Sequence, residues 1–414
     1  MNTTRQPSWR HSFRAFAHPR VITMLFLGFS AGIPLLLIFS SLSLWLREAG
    51  VERAAVTFFS WAALGYSFKF VWAPLVDKLP LPFLTQMLGR RRGWMLLAQC
   101  SIIAAIASMA LIDPAKGQNS LTLMAIAAVL LGFSSATQDI VIDAYRIESA
   151  ERSLQAMMSS TYIAGYRIAM LVAGAGALFL ASAFGSVKGA YSYQAWQGAY
   201  FIIASAMLVG VITTLVIPEP TTNRTSMASY SPKEYARFLF MFGAAATAFI
   251  LTFYYSAELS DHITKEFTDV VGTKQLAGFV VETARLITGV VVAWLVATLI
   301  IRAGVVSRSM MQETYIAPVK DFFGRYGKKS AILLLVLIGV YRISDIVLGV
   351  IANVFYQDMG FTKVEIASVV QTFGLFMTIA GGFLGGILSV QYGVIRILFL
   401  GALLSAATNL LFMM

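Results

Sequence analysis

Long apolar runs dominate this sequence, and each is close to the length that crosses a lipid bilayer. An α-helix needs roughly 20 apolar residues to span the hydrocarbon layer. Eleven such runs cover residues 20–46, 54–76, 93–112, 120–144, 156–182, 196–217, 235–257, 276–301, 330–355, 364–390 and 395–414. Because a helix satisfies its own backbone hydrogen bonds inside the membrane, the runs predict an all-α integral membrane protein with eleven transmembrane helices.

The composition narrows the class further. Only 12% of the residues are charged and 58% are hydrophobic, whereas soluble domains have about 25% charged residues. The net charge of +11 comes mostly from basic residues in short loops, which is typical of membrane proteins and predicts no nucleic-acid partner. Cys100 is the only cysteine, which excludes an internal disulfide, a cysteine zinc site or a redox pair. His11, His18 and His262 lie outside the apolar runs, so no histidine metal cluster, proton relay or other cofactor site is predicted.

Basic residues also predict how the chain is oriented, because they favour the cytoplasmic side of a membrane. They predominate in the N-terminus, in 77–92 and in 302–329, where six lysines and arginines stand against two acids, and two arginines lie in 145–155 beside two glutamates. These segments are expected in the cytoplasm. The segment 258–275 has four acids and two lysines and is expected outside. The cytoplasmic and outer segments alternate as the number of intervening helices requires. This agreement supports both the orientation and the helix count.

The order of the runs predicts three regions. Residues 1–220 form a six-helix N-terminal bundle that ends at Pro218-Glu219-Pro220, and 221–314 form a linker with two additional helices. Residues 315–414 form the first three helices of a C-terminal bundle. A weak internal echo between APLVDK and GGILSVQYGVIR favours the repeated halves of a secondary transporter. Three helices do not complete a second bundle of six, so the chain is expected to be a fragment.

Charged residues occur inside these apolar runs, where each costs at least about 2.5–3.5 kcal/mol unless it faces a cavity or a partner. The stretch SSATQDIVIDAYRIE carries Gln138, Asp139 and Asp143, and in a helix Arg146 lies one turn after Asp143. Other spans carry further charges. The full set of four acids and four bases is Asp139, Asp143, Glu282, Asp345, Lys69, Arg167, Arg285 and Arg342.

The spacing of these charges separates structural pairs from candidate functional residues. Glu282 and Arg285 are three residues apart in the additional helices, which favours a structural pair. Arg342 and Asp345 have the same spacing at the middle of a span, where a pair and a role in substrate binding or coupling remain open.

Lys69 and Arg167 differ, because neither has an acid three or four residues away. Their partners must come from another helix, from a ligand, or from both. Tyr66, Tyr166 and Tyr341 lie near the buried cations, as packing residues or as groups that stack on a sugar. Buried cations beside aromatic rings suit an anionic, partly apolar or sugar-like solute. A carboxylate that gains and loses a proton supplies a coupling element, and the sequence has no Walker A motif for ATP-driven transport.

Several segments resemble the AmpG muropeptide permease family of the major facilitator superfamily. The resemblance spans most of 20–220 and 315–414, in the family's order. The matching segments are GFSAGIPLLL, FKFVWAPLVDKL, GRRRGWMLLAQ, SSATQDIVIDAYRIE, GYRIAMLVAGAGAL, IAPVKDFFGRYGKK and VYRISD.

The resemblance implies a multi-pass permease of the bacterial inner membrane, working as a monomer by proton-coupled alternating access. Its substrates would be N-acetylglucosaminyl-1,6-anhydro-N-acetylmuramyl peptides, imported from the periplasm for peptidoglycan recycling and β-lactamase induction. The motifs carry a transport role over to Asp139 and Asp143, and to further residues in matched segments. Those residues are Lys69, Gln138, Tyr166, Arg167, Tyr341, Arg342 and Asp345.

A gate is predicted at the cytoplasmic mouth, formed by Asp77, Arg90, Arg91, Arg92 and Arg146. Asp143 is expected to latch this gate, with Arg146 or with the GRRR segment. Asp139 lies about 6 Å further into the membrane and is the better candidate for substrate or proton contact. Both carboxylates acting as gate residues is the alternative.

Two features depart from the family pattern. The helices at 235–301 are an insertion relative to compact members, and Gln371 stands where a lysine is common. There are three alternatives to this function. A permease for another bulky anion, such as a nucleotide conjugate or siderophore, has the same requirements. A membrane enzyme acting on lipid-linked sugars would need Asp77 as its acid, and a sensor would need a soluble effector domain, so a transporter is predicted and not an enzyme.

Overall fold

The computed structural model describes residues 16–51, 64–151, 154–186, 189–220, 230–337, 359–360, 369 and 373–410. Seven helices in this part of the chain are long and apolar enough to cross a membrane. The prediction of an all-α membrane protein is therefore confirmed. The second predicted run is described only from Leu64, and the run at 330–355 lies mostly outside the described residues.

The helices of the N-terminal half follow the predicted runs to within a few residues. They are α1 (Pro19–Glu48), α2 (Leu64–Lys78), α3 (Arg90–Ala110), α4 (Gln118–Ser149), α5 (Gln155–Ala183) and α6 (Tyr193–Val216). The later helices are α7 (Pro232–Tyr255), α8 (Ala257–Val271), α9 (Lys274–Arg302), α10 (Ala317–Tyr326), α11 (Gly374–Tyr392) and α12 (Val394–Leu410).

The chain divides into two compact units. One unit contains Met1–Asn223 and Leu334–Met414, and the other contains Arg224–Leu333. Within the first, α11 packs on α5, where Gly386 lies against the side chain of Ser160, and on the residues before α1, where the rings of Phe16 and Phe383 lie 5.0 Å apart. The predicted boundaries of the two bundles, at 220 and 314, stay predictions.

Glycines allow α1 and α5 to cross at very short range. A β-carbon added to Gly28 would collide with the carbonyl oxygen of Tyr162, and one added to Gly165 would collide with the carbonyl oxygen of Leu25. Close backbone approach through small residues is a usual way for membrane helices to associate. The crossing fixes the position of the turn of α5 that carries Tyr162, and this turn reaches the candidate site.

Both crossing helices also contain a π-turn. In α1 it covers Leu37–Ser41, after Pro34, which has no N–H to donate and interrupts the regular helix. In α5 it covers Val172–Gly176. The two turns meet, because the hydroxyl of Ser41 donates to the carbonyl oxygen of Ala173 at 2.9 Å. Backbone groups freed by irregular helices are commonly satisfied by such hydroxyls inside membranes.

An aromatic cluster closes the end of this bundle that is predicted to face outward. The rings of Trp45 and Trp196 stack with centroids 5.7 Å apart and planes inclined by 3°. Glu48 accepts hydrogen bonds from the indole N–H of Trp196 and from Ser186, each at 2.8 Å. Tyr191 donates to Asp113 at 2.8 Å. These bonds join the end of α1 to the segments between α3 and α4 and between α5 and α6.

In the second unit α7 and α9 pack antiparallel, and α8 continues from α7 after Ser256. The segment 258–275, expected as an outer loop, is helical over most of its length because α8 packs along α9. Arg285 lies 2.9 Å from Glu282 and donates to Ser256, while Ser260 donates to the same Glu282 carboxylate. The structural pair expected for Glu282 and Arg285 is present, and it ties α8 to α9.

Candidate functional site

Three helices of the first unit bring together a lysine, a carboxylate and a tyrosine. Nζ of Lys69, on α2, lies 3.7 Å from Oδ2 of Asp139, on α4. Tyr162, on α5, donates a hydrogen bond from its hydroxyl to Oδ1 of Asp139 at 3.3 Å. The Asp139 side chain is 12% exposed and that of Lys69 is 38% exposed. The carboxylate is therefore buried, while its cation keeps contact with the open side.

The neighbouring turns of α2 hold Lys69 in place against α4. Tyr66 donates to the hydroxyl of Ser135 at 2.8 Å, and the indole N–H of Trp72 donates to the hydroxyl of Thr137 at 3.2 Å. Because Tyr66, Lys69 and Trp72 are three residues apart, they share one face of α2. The pairing of this face with α4 fixes both ends of the Lys69–Asp139 ion pair.

Arg167 lies further along α5, next to Tyr166, and differs from Lys69. Its one recorded hydrogen bond is a weak contact from Nη1 to the sulfur of Met170 at 3.8 Å. Among the described residues it contacts no carboxylate. The rings of Tyr162 and Tyr166 lie 6.0 Å apart, so α5 presents two tyrosines near Asp139, followed in the chain by an arginine that contacts no carboxylate in the described part of the protein.

Gln138 takes a different position from its neighbour Asp139. It is fully buried, and its Oε1 accepts a hydrogen bond from Ser30 of α1 at 2.9 Å. This contact ties α4 to α1. The predicted role of Gln138 in substrate binding or proton coupling stays a prediction.

Asp143 lies one turn from Asp139 but has a separate partner. Its Oδ1 is 3.3 Å from Nη2 of Arg146, and Nη1 of Arg146 donates to Ser159 at 2.6 Å. The Asp143 side chain is 53% exposed. Of the two partners predicted for Asp143, the structure records Arg146. This local arrangement links α4 to the start of α5.

Arg91 is the centre of a second charged cluster, at the end of the bundle predicted to face the cytoplasm. Its guanidinium bonds both oxygens of Glu148, at 2.5 and 2.8 Å, and lies 2.5 Å from Oδ1 of Asp77. The Arg91 side chain is 3% exposed. Arg90 lies 3.9 Å from the same Glu148 carboxylate. One guanidinium therefore joins the ends of α2, α3 and α4.

Glu219 and Arg92 extend this cluster to α6. The Glu219 carboxylate accepts hydrogen bonds from the backbone N–H groups of Arg91 and Arg92, at 2.8 and 3.0 Å. A carboxylate at a helix N-terminus accepts hydrogen bonds from the unpaired N–H groups there. Its negative charge also interacts favourably with the positive end of the helix dipole. The Arg92 guanidinium donates to the carbonyl oxygens of Thr214 and Leu215 at the end of α6. This cap explains why α3 begins at Arg90, three residues before the predicted run.

Sequence reasoning missed Glu148, Glu219 and Tyr162 as parts of these clusters. Glu148 is the last residue of SSATQDIVIDAYRIE, and Glu219 lies between two prolines, so both looked like residues at a membrane surface. An excess of arginines over acids in GRRR was the available signal that partners come from elsewhere. The predicted residues Tyr341, Arg342 and Asp345, and the Gln371 departure, lie outside the described residues. In the described part of the chain, no group of three or more metal-ligating side chains occurs.

Comparison with known proteins places these features in a family. The sequence matches the model of the Major Facilitator Superfamily over residues 21–339. It is 31% identical over 399 residues to AmpG 4 of Rickettsia conorii, which covers 96% of this chain and 74% of that protein. The chain belongs to the AmpG family of the major facilitator superfamily.

Other AmpG relatives agree with this assignment. The anhydromuropeptide permease of Escherichia coli is 28% identical over 397 residues, covering 96% of this chain and 60% of that protein. AmpG 3 of Rickettsia prowazekii is 25% identical over 396 residues, covering 95% of this chain and 73% of that protein. The resemblance found in the sequence is confirmed. This AmpG-family chain is a multi-pass transporter of the bacterial inner membrane, not an enzyme.

Proposed function

We propose that the chain imports anhydro-muropeptides from the periplasm to the cytoplasm by proton-coupled alternating access. The observation that carries the proposal is the contact of Lys69, Asp139 and Tyr162, with Tyr166 and Arg167 one turn further along α5. These residues combine a buried carboxylate, a cation that reaches the open side, a second cation that contacts no acid within the described residues, and two tyrosines. Intramembrane ionisable residues of this kind mark substrate or proton pathways.

The chemistry of the group matches a solute with carboxylates and sugar faces. Arg167 offers a planar guanidinium that can bind a carboxylate through two hydrogen bonds. Tyr162 and Tyr166 offer ring faces for sugar C–H groups and hydroxyls for sugar oxygens. Anhydro-muropeptides carry both chemical features, and the Escherichia coli relative is named as their permease.

Proton coupling follows from competition for Lys69. An ion pair with a cation favours the ionised form of a carboxyl group, whereas burial favours the neutral form. When a substrate carboxylate forms an ion pair with the ammonium of Lys69, Asp139 loses its cationic partner. Asp139 then binds a proton from the periplasm. Release of substrate into the cytoplasm restores the ion pair and expels the proton. Asp143 and Arg146 do not take part in this exchange.

The Arg91 cluster serves as the cytoplasmic gate in this scheme. Asp77, Glu148 and Glu219 hold the ends of α2, α3, α4 and α6 together around Arg91 and Arg92. Opening toward the cytoplasm requires these contacts to rearrange. The chain acts as a monomer, since one bundle supplies both the ion pair and the gate. The residues Tyr341, Arg342 and Asp345 are proposed as the contribution of the C-terminal half.

The test measures substrate uptake by vesicles that contain the full-length protein. Radiolabelled N-acetylglucosaminyl-1,6-anhydro-N-acetylmuramic acid should accumulate when an inward proton gradient is imposed, and a protonophore should abolish the accumulation. Uptake that ignores the gradient would refute proton coupling but not the substrate assignment.

A second candidate substrate is another bulky anion, because Lys69 and Arg167 can bind the negative charge of solutes that differ in shape. Competition separates the two candidates. Unlabelled anhydro-disaccharide should suppress uptake of the labelled compound at concentrations where a nucleotide sugar or a siderophore does not. The opposite order of potency would overturn the muropeptide assignment.

A further inference from the structure

The segment between α9 and the next apolar run carries a helix that the proposed transport cycle does not use. It begins after Arg302, at the end of α9, and ends before Ala331, where an apolar helical stretch starts. Within it, Arg308–Met311, a π-turn at Gln312–Ile316 and α10 follow one another without a break. Both flanks are membrane-embedded segments, so this helix stays close to the bilayer surface.

The first half of this segment is anchored to α7. Tyr230 donates a hydrogen bond to Glu313 at 2.9 Å, and the rings of Phe238 and Tyr315 lie 6.2 Å apart. Met310 and Thr314 are buried. Because the anchor lies at the beginning of α7, this end of the segment is held at one membrane surface.

The second half, α10, buries none of its side chains. Its apolar residues recur every three or four positions and therefore form one face of the helix. Val319 and Tyr326 on this face are each 56% exposed. Neighbouring aromatic rings lie 5.3–5.6 Å from one another. The face consists of Ile316, Val319, Phe322, Phe323 and Tyr326.

Charged residues occupy the rest of the helix. Asp321 and Arg325 pair at 2.6 Å on the side away from Val319. Lys320 lies at one edge of the apolar face, by the 100° rotation per residue of an α-helix. Lys328 and Lys329 follow directly after Gly327, where α10 ends. From Arg302 to Lys329 the segment has six basic and two acidic residues. An apolar face with aromatic rings and a basic rim is the pattern of a helix that lies in a membrane interface.

We propose that α10 is a lipid-binding helix that lies on the cytoplasmic surface of the bilayer. Its apolar face inserts among the acyl chains, while Lys320, Lys329 and the neighbouring Lys328 bind the headgroups of anionic phospholipids. Basic residues beside a membrane are attracted by anionic lipids over about one Debye length. Pro318 and the π-turn interrupt the regular hydrogen bonds between the anchored half and α10. This inference does not depend on the identity of the transported solute.

The test measures the depth of single spin labels on the full-length protein in nanodiscs. Replacing Cys100 by Ser removes the only cysteine, and uptake by C100S verifies the background. Labels are then placed at V319C and D321C, on opposite sides of the helix. In discs that contain phosphatidylglycerol, the label at 319 should collide more with oxygen than with a water-soluble nickel complex, and the label at 321 should show the reverse order.

Two further arms make the lipid assignment falsifiable. Discs of phosphatidylcholine alone should reduce the depth of the label at 319, and so should K320Q/K329Q in anionic discs. The matched control K265Q/K274Q, which removes two exposed lysines of the same unit, should leave the depth unchanged.

Three results would overturn the proposal. Equal nickel accessibility at 319 and 321 would show a helix surrounded by water. A label at 319 that is closed to both reagents would show a face covered by protein. Equal depth in anionic and neutral discs would remove the role of the headgroups.

Discussion

Nζ of Lys69 lies 3.7 Å from Oδ2 of Asp139, and this ion pair joins α2 to α4 within the apolar part of the bundle. The two ends of the pair differ in their access to water, because Lys69 is about three times as exposed as Asp139. The pair is therefore sensitive to the loss of either partner, but not equally.

Lys69→Gln should destabilise the protein more than Asp139→Asn. The first change leaves a buried carboxyl group without its cation, so that it must stay ionised, at a cost on the order of 3 kcal/mol, or take up a proton. The second leaves a lysine that can turn toward water. The double variant should be more stable than Lys69→Gln. Thermal unfolding of the four proteins in one detergent measures the cycle. Equal losses for both single variants would contradict the burial argument.

Transport should separate the two carboxylates of α4. Asp139→Asn should abolish proton-driven accumulation of substrate, because the amide cannot exchange a proton. Asp143→Asn should reduce the rate only in part, since Asp143 is half-exposed and pairs with Arg146. Uptake by vesicles, at equal amounts of inserted protein, is the measurement. If both neutral variants accumulate substrate normally, the coupling mechanism is wrong.

Arg91→Lys should cost roughly 3 kcal/mol of stability, although the charge is kept. A lysine cannot reproduce the two parallel bonds to Glu148 together with the contact to Asp77. Arg325→Lys is the matched control, because Arg325 pairs with Asp321 but is 72% exposed, and exposed pairs contribute about 0–1 kcal/mol. A similar shift of the unfolding temperature in the two variants would show that burial of Arg91 is irrelevant.

Gly28→Ala and Gly165→Ala should each lower the unfolding temperature and reduce transport. The new methyl group collides with backbone carbonyl oxygens of the opposite helix, which cannot move as a side chain can. Gly243→Ala, in α7, is the control because no atom lies within 4 Å of the added carbon. It should be neutral or raise stability by a few tenths of a kcal/mol, up to about 1 kcal/mol, as alanine favours the helix.

Alkaline stability should depend on Tyr191. Burial, assisted by the hydrogen bond to Asp113, raises the pKa of Tyr191 above the usual value of about 10. The folded protein therefore favours the neutral phenol. This stabilisation is complete below pH 10 and is lost as the pH rises through the raised pKa. Tyr191→Phe should show a smaller loss of stability than the wild type between pH 9 and 11, when unfolding is followed by circular dichroism.

The membrane class, the span positions and the family were predictable because they depend on local composition. A run of apolar residues is visible without any partner, and so are motifs such as GRRRGW. The helix α8 was expected as a loop because its charges were counted and its packing on α9 was not visible. Hydropathy reports where a chain leaves the membrane, not whether it stays helical there.

The partners in the candidate site were less predictable, since they are set by tertiary contacts. The partner of Lys69 was expected on another helix, in a ligand or in both, and nothing in the sequence selects Asp139 from the available acids. The GRRR segment was one of the predicted partners of Asp143, whereas Arg91 bonds Asp77 and Glu148. Spacing predicted the pairs within a helix, Asp143 with Arg146 and Glu282 with Arg285, because those depend only on helix geometry.

The two π-turns that meet in the middle of α1 and α5 have a consequence for the independence of the two ends of the bundle. Each π-turn has more residues per turn than an α-helix, so it sets the direction in which the residues beyond it point. The inner half of α1 sets the glycine crossing beside Asp139, and the outer half sets the stacking of Trp45 on Trp196. The two halves of each helix are therefore oriented separately. Contacts at one end of the bundle can change without changing the direction of the side chains at the other end.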